Sequence, residues 1–153
     1  MLEIRRYKPT DYEPVWQLHR LALENVDAHA GNGPWDDDLH DIQSVYLNAN
    51  GEFLVAVENG EIVGMAALRR VDENRAEIKR MRVHPSHQRK GIGRAILVQL
   101  ENRAEALGYT VLLLDTTTQQ QAAQKFYENN GYVETERRNE CGFQLICYQK
   151  IIP

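Results

Sequence analysis

The chain has 153 residues, of which 42% are hydrophobic and 26% charged, with a formal net charge of -4. That length predicts one domain, 1–153, with a sizeable core, and the acid excess argues against general nucleic-acid binding, which rests on many cation–phosphate contacts. Cys141 and Cys147 form no Cys-x-x-Cys pair and no disulfide framework; with no signal-peptide core and no apolar run of about 18 residues, a cytoplasmic protein without membrane contact is expected.

Residues 2–7 predict a first strand. A helical spacing follows from Asp11, a candidate N-cap with Pro14 in the first turn, through Val15, Leu18, His19, Ala22 and Val26. Gly31, Gly33 and Pro34 break it. A second helix is expected near Asp36–Asp38, with Leu39, Ile42, Val45, Tyr46 and Ala49 on its apolar face and aspartates at the positive end of its dipole.

Two β-rich runs then flank Asn59-Gly60, a strong hairpin signal. Asp72-Glu73-Asn74 marks a turn, and 76–83 reads as a third antiparallel strand. After a polar, glycine-punctuated loop comes a helix to about Leu107, with Ile92, Ile96, Leu100, Ala104 and Leu107 on one stripe and Gly108 as C-cap. The apolar run 109–115 predicts a strand covered on both faces. Residues 119–130 suit a helix, and two closing strands turn near Asn139–Gly142. The order β-α-α-β-β-β-α-β-α-β-β defines an α/β fold with an antiparallel front half and a βαβ unit behind it.

The loop His84–Arg94 concentrates cations. Lys79, Arg80, Arg82, His84, His87, Arg89, Lys90 and Arg94 lie close together in the chain, a density that suits a small anionic ligand. Free amides at the first turn of a helix bind phosphate well. The pattern is neither a Walker A loop nor a dinucleotide fingerprint, which needs a third glycine. By itself it also reads as an ordinary turn.

Gln88-x-x-Gly91-x-Gly93, set between a strand and an amphipathic helix, resembles the coenzyme A motif of the GNAT acetyltransferases. Downstream, Ala123-x-x-Phe126-Tyr127-x-x-x-Gly131-Tyr132 resembles a second segment of that superfamily, in the family's order and separation. The resemblance covers essentially the whole chain. It implies a mixed, mostly antiparallel central sheet with splayed central strands and about four helices. It also implies acetyl-CoA as co-substrate, no metal, and transfer of the acetyl group to a primary amine of a small molecule or peptide. A lysine on a protein is a further acceptor class, and a catalytically silent acyl-CoA-binding module is the alternative.

Carried onto this chain, the resemblance puts the pyrophosphate on the loop at Gln88, Arg89, Lys90, Gly91, Ile92, Gly93 and Arg94. It puts the pantetheine arm on main-chain groups of Met81 and Val83, where a strand-end amide can hold the developing oxyanion. Gln120 stands where many members have Asn. Glu77, eleven residues before Gln88, takes the general base's position, and His84 is the runner-up because imidazole titrates near about 6.5. Tyr127 takes the acid's position, where a phenol of pKa about 10 can protonate a thiolate of pKa about 8.5. Each of these side chains also has a plain structural reading: Glu77 as an exposed strand residue beside Lys79, Tyr127 as an aromatic anchor beside Phe126.

Asp27, Asp36, Asp37, Asp38 and Asp41 would favour a cationic amine if they border the acceptor site; helix-capping aspartates explain them equally. His29 and His40 lack metal-ligand spacing. Edge strands in the tail could pair two copies into a homodimer.

Overall fold

The computed structural model describes residues 1–25, 34–118, 120–140 and 142–153. Val26, Asp27, His29 and Cys141 lie outside the described residues, as do the side chains of Ala22 and Asp36. Seven strands form one sheet: β1 (Leu2–Arg6), β2 (Glu52–Glu58), β3 (Glu61–Arg70), β4 (Arg75–Val83), β5 (Val111–Thr117), β6 (Val133–Glu140) and β7 (Phe143–Ile151). Their spatial order is β1-β2-β3-β4-β5-β7-β6, and every adjacent pair is antiparallel except β4–β5. Among the described residues three α-helices accompany them: α1 (Tyr12–Asn25), α2 (Ile92–Ala106) and α3 (Gln121–Asn129). The β4-α2-β5 crossover is the expected βαβ unit, and Asn59 (φ 53°) and Gly60 (φ 80°) make the two left-handed residues of the β2–β3 hairpin turn.

The sheet divides two cores. On one face α2 and α3 bury Ile92, Ile96, Leu97, Leu100, Ala104 and Tyr127 against Ala66, Ala76, Ile78, Leu112 and Leu114. On the other, α1 and the 34–47 segment bury Val15, Trp16, Leu18, Leu39, Ile42 and Tyr46 against Phe53, Val55, Met65 and Ala67. Each such large apolar side chain contributes roughly 1.5–3 kcal/mol by leaving water.

Two sequence expectations are corrected and two details are added. The second helix is not an α-helix: Pro34–His40 is a 3-10 stretch and Gln43–Leu47 a π turn. Leu39, Ile42 and Tyr46 still point inward, but Ala49 is exposed because the altered pitch carries it off the apolar stripe. Asp11 directly precedes α1, but the hydrogen bonds its carboxylate accepts come from the residues before it. It ends a 3-10 turn, accepts from the Lys8 amide at 2.9 Å and forms a two-pronged pair with Arg5. β5 starts at Val111 and is covered fully on one face only: Leu112 and Leu114 are buried while Val111 and Leu113 are half-buried, because α1 packs on β3 and β4 instead. Last, β4 carries a bulge.

Candidate active site

The bulge decides which side chain of β4 faces where. Lys79 stands opposite Ala67 and Arg82 opposite Met65, so Arg80 and Met81 together oppose one residue of β3. Arg80 absorbs the extra residue with φ 59°. An extra residue reverses the alternation beyond it. Ala76 and Ile78 face the α2/α3 core before the bulge, and Met81 and Val83 pack on that same core after it. Glu77, Lys79 and Arg82 therefore lie on the α1 face, directly across from Arg69, Ala67 and Met65, of which Met65 and Ala67 belong to the α1-side core.

A buried clamp holds the bulge. The Arg80 guanidinium donates to Asp38 through Nε at 3.0 Å and through Nη2, and the Tyr46 hydroxyl donates to the same carboxylate. Both members of the ion pair are almost wholly buried. Burial alone would push the Asp38 carboxyl up, but the hydrogen bonds from Arg80 and Tyr46 outweigh it and hold the group below its usual range. Desolvation and the neighbouring carboxylate drive the Tyr46 phenol strongly upward, so it remains a donor.

β4 and β5 pair in parallel at only three positions, Arg75–Val111, Ala76–Leu112 and Glu77–Leu113, and then diverge. The V-shaped opening is a cleft of about 310 Å³ bordered by Glu77, Lys79, Met81, Arg82, Asp115, Gln120 and Tyr127, among others. Beyond Glu77, main-chain groups on the β5-facing side of β4 have no strand partner, a row of donors and acceptors suited to an extended amide-bearing ligand. Val83 O accepts from Gln88 Nε2 at 3.3 Å, which ties the start of the glycine loop to the end of the strand.

At the cleft's open end, Arg89 (φ 65°) and Gly91 (φ 80°) both adopt the left-handed conformation, and Gly91 caps α2. Left-handed residues in such a turn aim successive amides to one side, and the free first-turn amides of α2 add the dipole's positive end. Arg89, Lys90, Gly91 and Arg94 are exposed and Ile92 is buried as an anchor. Gly93 lies 3.5–3.6 Å, counted from where a Cβ would sit, from Phe126 and Val83.

Glu77 and Tyr127 reach the cleft from opposite faces. Burial first, and then the Asp115 carboxylate, raise the Glu77 pKa above the ordinary carboxylate value, partly offset by Lys79. Tyr127 is 6% exposed, with its ring between the edges of Phe126 and Tyr132, and burial pushes its phenol up to about 12. Its hydroxyl makes no hydrogen bond among the described residues. Gln120 also borders the cleft, with Oε1 accepting from the Thr117 hydroxyl at 3.1 Å. His84 does not join them: its Nδ1 accepts from the Ser86 amide, and it lines a separate cavity of about 610 Å³ beside α1. Of the aspartates expected to border an acceptor site, the described Asp37, Asp38 and Asp41 do not line the cleft. Asp38 is held by Arg80 and Tyr46, Asp41 Oδ1 accepts from the Ser44 amide, and Asp37 is exposed. His40 is hydrogen-bonded to the Tyr12 hydroxyl at 2.9 Å, and no cluster of three metal-ligating side chains occurs among the described residues.

Sequence reasoning missed the bulge and the Asp38–Arg80–Tyr46 clamp. The bulge had a signal: apolar residues at Ala76 and Ile78 resume at Met81 and Val83, a slip of one position in a period-2 pattern.

The strand pair thus opens into a cleft, with a glycine loop at a helix N-terminus beside it and a carboxyl group and a phenol on its two sides. A model of the acetyltransferase (GNAT) family matches residues 12–132, and the chain belongs to that family. It is 37% identical over 97 residues to the N-acetylaspartate synthetase of Danio rerio, a match covering 62% of this chain and 34% of that protein. The chain spans half or less of the length of the curated relatives it matches first. An acetyltransferase of the GNAT family from Staphylococcus aureus Mu50 superposes with a TM-score of 0.91 at 25% identity, over 99% of both chains. The PaiA N-acetyltransferase of Thermoplasma acidophilum, solved in complex with coenzyme A, has the same fold, with a TM-score of 0.80 at 19% identity over 99% of both chains.

Proposed function

We propose that this protein transfers an acetyl group from acetyl-CoA to a primary amine. The observation that carries this reading is the opening of β4 from β5 beyond Glu77, with the Arg89–Arg94 loop at its end. The loop seats the pyrophosphate, and the unpaired edge of β4 at Met81 and Val83 receives the pantetheine arm as a further strand would be received. That a protein with the same fold was solved in complex with coenzyme A supports coenzyme A as the ligand class.

The donor enters on the α2/α3 face and the acceptor on the α1 face, where Glu77 lies. An alkylammonium has a pKa near about 10.4, so it loses one proton to Glu77 before the neutral nitrogen attacks the thioester carbonyl carbon. A C–N bond forms, a main-chain amide of β4 stabilises the oxyanion, the nitrogen passes its second proton to water, and the C–S bond breaks. The sulfur departs with its electron pair and takes the Tyr127 proton. The sum is ammonium plus thioester giving amide, thiol and one proton. A phenol near 12 stays protonated in neutral solution, as a donor must.

Tyr127→Phe tests the assignment by release of free thiol from acetyl-CoA. Turnover falls about a hundredfold, at the low end of what a positioned acid contributes, while acetyl-CoA affinity holds. A fully active variant removes Tyr127 from the mechanism.

A further inference from the structure

We propose that the acceptor carries a carboxylate next to its amine, and that Lys79 binds it. This rests on the acetyl-transfer reading of the same cleft. The charges on the α1 side of the cleft fall into committed and uncommitted groups. Arg80 is bound to Asp38, and Asp115 is bound to Arg138 at 3.0 Å. Arg82 donates Nη1 to Met81 O at 2.9 Å. Lys79 is half-buried and forms no ion pair or hydrogen bond among the described residues, although it borders the cleft with Glu77. Its charge acts on both Glu77 and Asp38, but Asp38 already has two donors.

Lys79 and Glu77 stand two positions apart on one face of β4, opposite Ala67 and Arg69 of β3. Two positions along a strand span about 6.6 Å. Neither side chain reaches the other to form a pair, so a molecule between them can give its ammonium to Glu77 and its carboxylate to Lys79. A zwitterion whose two groups sit on one carbon or on neighbouring carbons fits that gap. An amine without an acid group leaves the ammonium of Lys79 facing a second cation, which is unfavourable. The acceptor class is therefore a free amino acid rather than a polyamine or a lysine side chain.

The test compares amino acids with their decarboxylated amines as acceptors, in pairs such as leucine with 3-methylbutylamine and phenylalanine with phenethylamine, by thiol release at saturating acetyl-CoA. Each pair removes the only carboxylate and leaves the amine and the side chain in place. Free amino acids turn over, and loss of the α-carboxylate lowers kcat/KM by about tenfold to a hundredfold, the range for a hydrogen bond to a charged group. Lys79→Met raises the amino-acid KM by a similar factor with little change in kcat or in the acetyl-CoA KM, and Lys79→Arg recovers much of the loss. Equal rates for acid and decarboxylated partner, or a Lys79→Met KM unchanged, overturn the proposal while leaving acetyl transfer intact. Thiol release with carboxylate-free amines alone does the same. No release with any amine and no thermal stabilisation by acetyl-CoA overturns both readings.

Discussion

The two edges of β5 are closed to different extents. Against β7 the strand pairs at every position from Val111–Ile151 to Thr117–Leu145. Against β4 it pairs only as far as Glu77–Leu113. One edge is ordinary sheet, with its backbone groups satisfied by the chain itself. The other stops pairing at the residue where the proposed chemistry begins. The cleft is thus opened by backbone divergence rather than by small side chains, and an extended ligand can restore the hydrogen bonds that a strand would have made. Three residues beyond the last pair, β4 bulges at Arg80, which is fastened to Asp38 and Tyr46 on the α1 side.

If the open edge and its loop are a donor seat, filling that seat has the largest effect. Gly91→Glu places a carboxylate where the pyrophosphate is proposed to lie, at φ 80°. A Cβ there meets nothing within 4 Å, so the change is confined to local backbone strain and the ligand. Acetyl-CoA affinity, measured by calorimetry, falls at least a hundredfold. The unliganded protein melts only a few degrees lower, as about 1 kcal/mol of left-handed strain in a chain of this size dictates. Unchanged affinity would remove the loop from the donor site.

On the acceptor side the expected effect is smaller and depends on pH. Glu77 must be deprotonated to act, and its pKa lies above the ordinary carboxylate range. The rate therefore falls on the acid side as pH drops through that raised value. Glu77→Gln loses this limb and lowers turnover about tenfold to a hundredfold near neutrality. A profile identical to the parent's would pass the proton to water.

Much of this was legible in local patterns. The Asn59-Gly60 turn, the stripe of α2 and the Gln88–Gly93 loop are each set by a few neighbouring residues, and each occurs where expected. What escaped was set by distant partners. Asp38 and Arg80 are 42 residues apart, and the aspartate-rich stretch reads locally as a helix start, although its carboxylate is spent on a strand. The 34–47 segment follows from that: its backbone accommodates the Asp38 and Tyr46 contacts as 3-10 and π turns rather than as one regular helix. In the same way, the apolar run of β5 resembled a fully covered strand because sequence cannot show that α1 stops at β4.

The finest test separates the strain at the bulge from the clamp that holds it. Arg80→Ala and Arg80→Gly both remove the guanidinium and leave Asp38 buried without its cation, at a cost of about 3–5 kcal/mol. They differ only at the backbone. A non-glycine residue at φ 59° carries roughly 1 kcal/mol of strain, which Gly lacks. Arg80→Gly is therefore expected to melt about 2–4 °C above Arg80→Ala, both far below the parent. Gly also gains entropy when unfolded, which works against it, so an advantage at the low end of that interval fits the same account. If the alanine variant melts higher, the left-handed residue is not strained in place. The loss of the Asp38 ion pair would then account for the whole cost of removing Arg80.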